Sequence, residues 1–230
     1  MKTDMKRNFW IWVMMASVII GFIVGGALFS QMPEMMASHW NASGEADGYI
    51  SRFWGVFLFP LISLGLLLLL LVIPKIDPLR TNIEKFKGYY YGFAAVFLVY
   101  FLYIYILTLI WSLDVRFDMN SALMPAIGIL FIVAGIMMGK AKRNYLIGIR
   151  TPWTLSNDEV WNRTHKLGSR LFIITGFIVA LLAIFITSTV VYVMLGLVLA
   201  TALISIIYSY VVYKRLEKAG KINLDQNNKS

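Results

Sequence analysis

Side chains able to do chemistry are concentrated in two stretches. Residues 143–170, RNYLIGIRTPWTLSNDEVWNRTHKLGSR, carry Asn144, Arg150, Trp153, Trp161 and His165. An imidazole can move a proton, sense pH or donate a hydrogen bond. An arginine can pair with Asp158 or Glu159, clamp a phosphate or stack on a tryptophan. Trp161 and His165 are four residues apart and share one helix face. Residues 31–55, QMPEMMASHWNASGEADGYISRFWG, hold the second set: Glu34, His39, Asn41, Glu45 and Asp47. Carboxylates and imidazoles are ordinary cation ligands. Their spacing matches no tight ligand set, so no metal is assigned to them. Asn41-Ala42-Ser43 is a glycosylation sequon, without consequence in a bacterial host.

The rest of the chain explains what must position these groups. The 230 residues are 59% hydrophobic with a mean hydropathy of +0.72, too apolar for a soluble domain. Apolar runs that can cross a 30 Å hydrocarbon core occur at about Phe9–Phe29, Trp54–Ile73, Tyr89–Trp111, Ala122–Gly139, Leu171–Ile186 and Val190–Tyr213, the fifth reaching spanning length only by taking in Gly168–Arg170. None alternates polar and apolar residues as barrel strands do. The first run follows Lys2, Lys6 and Arg7 as a signal peptide would. It is longer than a typical signal core and ends in a poor cleavage site, so it reads as an uncleaved span.

Charge sets the orientation. With the N-terminus inside, only Arg52 and Arg116 of the 21 cations fall outside, as the positive-inside rule requires. The net charge of +9 has the same origin, and no nucleic-acid partner is expected. Without cysteine the chain has no disulfide, thiolate nucleophile or cysteine-ligated metal. No cofactor is expected. The expected fold is all-α: a polytopic membrane helical bundle of six transmembrane helices, both termini cytoplasmic, with an amphipathic cytoplasmic helix before the fifth span. Residues 1–73 would hold the first two spans and an outer-loop domain. Residues 74–121 would hold a cytoplasmic linker and the third span, 122–215 the last three spans, and 216–230 a polar tail, disordered beyond Leu216.

The segment before the fifth span has start signals. Pro152 disfavours a helical Thr151, and Ser156 with Glu159 has capping-box spacing, so a helix is expected from about Ser156. Val160, Trp161, Thr164, Leu167, Gly168 and Leu171 form its apolar stripe, and Arg163, Lys166 and Arg170 a basic one. This is the pattern of a helix lying on anionic lipid head groups and running on into the fifth span, so membrane lipids are expected partners. The spans lack clear mid-span charges, which argues against a proton-coupled pump or a metal-dependent intramembrane protease. Ser17, Gly21 and Gly25, and Gly135 and Gly139, have the spacing of close helix packing. Tyr100 and Tyr103 share a face of the third span and are read as bundle packing.

The stretch RNYLIGIRTPWTLSNDEVWNRTHKLGSRLF resembles the signature of the SdpI family of bacterial membrane proteins. MPEMMASHWNASGEADGYISR resembles the short domain that often precedes that signature, and PKIDPLRTNIEKFKGYY resembles the family's linker. Inside, the likeness covers Asn144, Gly148, Arg150, Thr151, Pro152, Trp153, Trp161, His165 and Gly168. Outside, it covers Pro33, His39, Asn41, Gly44, Asp47 and Gly48. The resemblance implies that 122–215 is an SdpI-like domain in a multi-pass protein of the bacterial cell membrane. It implies immunity to a secreted peptide toxin of the sporulation-delay type, with signalling inward through a cytoplasmic regulatory protein as a further role. It carries over no catalytic residues. The alternative is a membrane enzyme or small-molecule transporter with its site at a membrane surface.

Overall fold

The computed structural model describes residues 2–222. Eight helices and one hairpin follow in the order α1 (Lys2–Leu28), β1 (Met35–Trp40), β2 (Ala46–Ser51), α2 (Arg52–Ile76), α3 (Arg80–Glu84), α4 (Lys87–Ser112), α5 (Met119–Met138), α6 (Pro152–Ser156), α7 (Asp158–Phe185) and α8 (Thr187–Lys218). Six of them, α1, α2, α4, α5, α7 and α8, are long and apolar enough to cross a membrane. Large side chains such as Ile23, Leu68, Ile184 and Phe185 stand exposed along them, as lipid-facing residues do. Six crossings bring both ends of the described chain to one end of the bundle, here the loop end. The hairpin lies at the other.

The spans form two three-helix groups. In the first, α1, α2 and α4 pack around Met14, Val18, Tyr90, Ala94 and Leu98. In the second, α7 packs between α5 and α8. Glycine makes the α5–α7 contact possible. A Cβ on Gly128 would meet the Gly176 carbonyl oxygen at 2.6 Å, and one on Gly135 would meet the Ser169 carbonyl oxygen at 2.8 Å. Two backbones this close gain dispersion contact where lipid offers no hydrophobic drive. Gly135 and Gly139 pack against α7, and a Cβ on Gly25 would collide with the Tyr105 hydroxyl.

Two prolines inside α2 are accommodated by tyrosines of α4. Pro60 has no N–H to give the carbonyl four residues earlier, that of Val56, and Pro74 leaves Leu70 in the same position. Tyr105 donates its hydroxyl to the Val56 carbonyl at 2.8 Å, and Tyr90 donates to the Leu70 carbonyl at 2.9 Å. Both phenols are buried. Each freed carbonyl thus regains a donor without water. Tyr103 donates to the Ala122 carbonyl at 2.9 Å and ties α4 to α5, while Tyr100 is half-buried.

Three local expectations change. The segment expected outside folds as an antiparallel β-hairpin, the one departure from an all-helical chain among the described residues. The helix expected from Ser156 starts at Asp158, with Asn157 as its cap, accepting from the Glu159 and Val160 N–H groups at 2.8 and 3.2 Å. The capping box lies one short helix earlier: Thr151 and Thr154 exchange side-chain-to-backbone bonds around α6, with Pro152 at its first position. Ser156 instead donates to the Trp153 carbonyl. The amphipathic segment runs on into the fifth spanning helix as expected, but not along a lipid surface. Its stripe covers protein: Val160 packs with Val212 and Leu216, and Trp161 is fully buried. At the chain's end, α8 continues past Leu216 to Lys218, and residues 223–230 of the expected tail lie outside the described residues.

Candidate functional site

At the loop end, residues 139–151 have almost no regular structure, and side chains hold them. Asn144 is fully buried. Its carbonyl oxygen accepts from the N–H groups of Leu146 (3.0 Å) and Ile147 (2.6 Å), and its amide donates to the carbonyls of Lys142 (2.8 Å) and Ile147 (3.0 Å). Asp77, also buried, reaches in from the end of α2. It accepts from Tyr145 N–H (2.8 Å) and Leu146 N–H (3.1 Å), and from Leu79 N–H (2.7 Å) in its own loop. Asn82 of α3 donates to the Arg143 carbonyl at 3.0 Å.

Helix α7 supplies the remaining support. Trp161 donates its indole N–H to the Ala141 carbonyl at 3.0 Å and stacks on His165, with ring centroids 3.9 Å apart and planes 16° from parallel. Ile149 donates its N–H to His165 Nε2 at 3.0 Å, so that nitrogen is the acceptor. His165 Nδ1 then carries the proton and donates to the Trp161 carbonyl at 2.9 Å. The ring is therefore neutral, with both nitrogens engaged. Gly148 is required beside it: its φ is +102°, and a Cβ there would collide with His165 Nε2.

Sequence proximity thus brings together groups of two kinds. Asn144, Trp161 and His165 are buried and fully hydrogen-bonded into the connector. Arg150 is exposed and donates to the Tyr145 carbonyl at 2.9 Å. Trp153 is half-buried against Tyr210 of α8, ring centroids 5.1 Å apart. Arg143, rather than Arg150, takes the acid, its Nε lying 2.7 Å from Asp158. Glu159 pairs with Arg163 one turn along α7.

At the hairpin end, Met32 and Met36 anchor the cap by burying against Val56, Tyr105 and Leu109. The cap's tip rests on the start of α5. Asn120 donates to the carbonyls of Asn41 (3.3 Å) and Ala42 (2.9 Å). A Cβ at Gly44, where φ is +81°, would meet Asp118 Oδ2 at 2.7 Å. Asn41 shapes the turn, its side chain accepting from Ser43 N–H (2.9 Å) and Glu45 N–H (3.1 Å) and donating to the Glu45 carboxylate (3.4 Å). His39 and Asp47 meet across the strands at 2.5 Å and are exposed. Glu34 is exposed outside this group, its backbone carbonyl accepting from Arg52 N–H. No group of three or more His, Cys, Asp or Glu side chains placed to hold a metal occurs among the described residues.

Asp77, Asn82, Asn120, Tyr90 and Tyr105 escaped the sequence reading. Asp77 had a visible signal: an aspartate before proline in an otherwise basic loop marks a side-chain-stabilised turn. Pro60 and Pro74 likewise announced two carbonyls in need of donors.

The molecule is thus a multi-pass helical protein of the cell membrane, with a β-hairpin cap at one end and a stapled connector at the other. Residues 140–209 match the SdpI/YfhL protein family, and residues 16–64 match a domain of unknown function, DUF1648. Immunity protein SdpI of Bacillus subtilis (strain 168) is 28% identical over 212 residues, spanning 92% of this chain and 98% of that protein. The chain is thus similar to SdpI/YfhL proteins in its second half, and the likeness to the Bacillus subtilis protein runs over nearly its whole length. No solved structure matches it.

Proposed function

We propose that this chain is an integral membrane immunity protein that protects its host cell from a secreted peptide toxin of the sporulation-delay type. The observation that carries this reading is collinearity over nearly the full length of both chains with a relative named an immunity protein. Both termini are cytoplasmic in this reading, because the loop end gathers the cations and the hairpin end is nearly free of them. The hairpin then faces the side from which a secreted peptide arrives.

Toxin contact belongs to the hairpin end, where Glu34, His39, Asn41, Glu45 and Asp47 lie. The loop end has two roles. Asn144, Trp161 and His165 are positioning residues that hold the connector. Arg150 and Trp153 have surface left for a cytoplasmic regulatory protein, so toxin presence can be signalled inward. Catalysis by His165 is disfavoured, because both its nitrogens are committed to backbone groups.

The test is to express the chain in a toxin-sensitive bacterium, confirm its membrane level, add a sporulation-delay-type peptide, and follow membrane potential and survival. Retained potential against an empty-vector control is expected. Collapse equal to the control would overturn immunity to this toxin class. Arg150→Ala is expected to keep protection and lose signalling. Loss of both in a properly inserted variant would place Arg150 in protection itself.

A further inference from the structure

The hairpin and the end of α4 enclose a cleft of about 160 Å³, in which Met35, Ala37 and Tyr49 face Trp111, Asp114 and Arg116. We infer that this cleft docks an extended, cationic, amphipathic peptide segment. The inference rests on the reading of the hairpin end as the outer one, and it names where a peptide ligand would sit.

Three observations converge on that occupant. The first is an open strand edge. Arg52 N–H bonds to the Glu34 carbonyl, so Glu34 and Arg52 are a hydrogen-bonded pair, and in this register Met36 and Ile50 are the next. Met35 and Ala37 therefore turn their N–H and C=O groups away from β2. No third strand covers that edge among the described residues. An extended peptide satisfies such an edge by main-chain pairing.

The second is an apolar surface beside the edge. Met35 and Tyr49 are more than half exposed, and Val115 stands out on the neighbouring loop. The third is charge. At this end Glu34, Glu45, Asp47, Asp114 and Asp118 face Arg52 and Arg116, a formal excess of three negative charges. Inside the cleft Arg116 lies 3.7 Å over the Trp111 ring with its Nη2 2.5 Å from Asp114, so that pair is neutral and the excess negative charge lies around the cleft. Asp114 nonetheless keeps 86% of its side chain exposed. Its backbone is at φ +64°, a left-handed conformation that non-glycine residues rarely adopt. Glu34 flanks the same strand beside Met35. On an added strand, side chains turned to the cleft would meet Met35, Tyr49 and Asp114, and those on the opposite face would lie on the side of Glu34.

The test uses the full chain in phosphatidylcholine nanodiscs, whose lipid has no net charge. Fluorescence anisotropy follows a labelled nonapeptide of alternating lysine and valine, with a glutamate–valine peptide of equal length as control. Saturable binding of the cationic peptide alone is expected. Glu34→Gln combined with Asp114→Asn should weaken it roughly five- to tenfold, as for two exposed ion pairs. Met35→Pro, which removes an outward N–H and leaves the β1–β2 ladder intact, should weaken it as well. Glu84→Gln, an exposed acid of α3 at the opposite end of the bundle, should not. Equal binding of both peptides, unchanged binding by the hairpin-end variants, or an equal effect of Glu84→Gln would each overturn the inference. A correctly inserted variant that no longer binds yet still protects cells would sink the docking site and leave the immunity reading standing. Wild-type binding without protection would do the reverse.

Discussion

Replacing Tyr105 by phenylalanine removes one oxygen from a buried site and nothing else. The Val56 carbonyl has lost its helical partner to Pro60 and takes the Tyr105 hydroxyl at 2.8 Å instead. Both groups are buried in the first helix group. A buried acceptor left unsatisfied costs about 1–3 kcal/mol, and hydrogen bonds between membrane helices fall at or below the low end of that range. A destabilisation of about 1–2 kcal/mol is therefore expected, roughly 2–8 °C in thermal midpoint for a chain of this size. Pro60→Ala restores an N–H to α2 and gives Val56 its ordinary partner. In that background Tyr105→Phe should cost less than ~0.5 kcal/mol, because an exchange of one donor for none now leaves nothing orphaned. The assay is a double-mutant cycle on detergent-solubilised protein, followed by tryptophan fluorescence during reversible unfolding. Equal costs in the two backgrounds would refute the argument, since the tyrosine would then act through packing alone.

Three further outcomes follow from the same geometry. Gly148→Ala forces a left-handed backbone on a residue with a Cβ and drives that Cβ into His165, so it should destabilise the protein by more than ~2 kcal/mol. With only two histidines in the chain, loss of the Nδ1-protonated signature of His165 in imidazole 15N shifts would check the mechanism as well as the magnitude. Asp77→Ala strips acceptors from three backbone N–H groups, at 2.7, 2.8 and 3.1 Å, and should free the 140–151 connector for proteolysis without unfolding the hairpin end. Asn120→Ala cuts the tie between α5 and the hairpin tip, so amide exchange at Asn41–Glu45 should rise several-fold while global stability changes by under ~1 kcal/mol.

Much of the architecture was legible in the residues because a bilayer imposes a single length scale. Spans long enough to cross it had to be helical, and all six lie where hydropathy alone puts them. The even number of crossings, and hence both ends of the described chain at one end of the bundle, follows from that count. The motifs at 33–54 and 143–170 were also plain, because polar and aromatic residues stand out against an apolar background. Their division of labour was not. Asn144, Trp161 and His165 look like chemistry in a list of residues, yet tertiary contacts with Ala141, Ile147 and Ile149 turn them into supports. Asp77 and Asn82 lie some sixty residues from the connector they hold. Such pairings obey no local periodicity, so only the folded chain brings them together. The same holds for Pro60 and Tyr105: the unmet carbonyl can be read from the proline, but which donor meets it is decided by how α4 packs against α2.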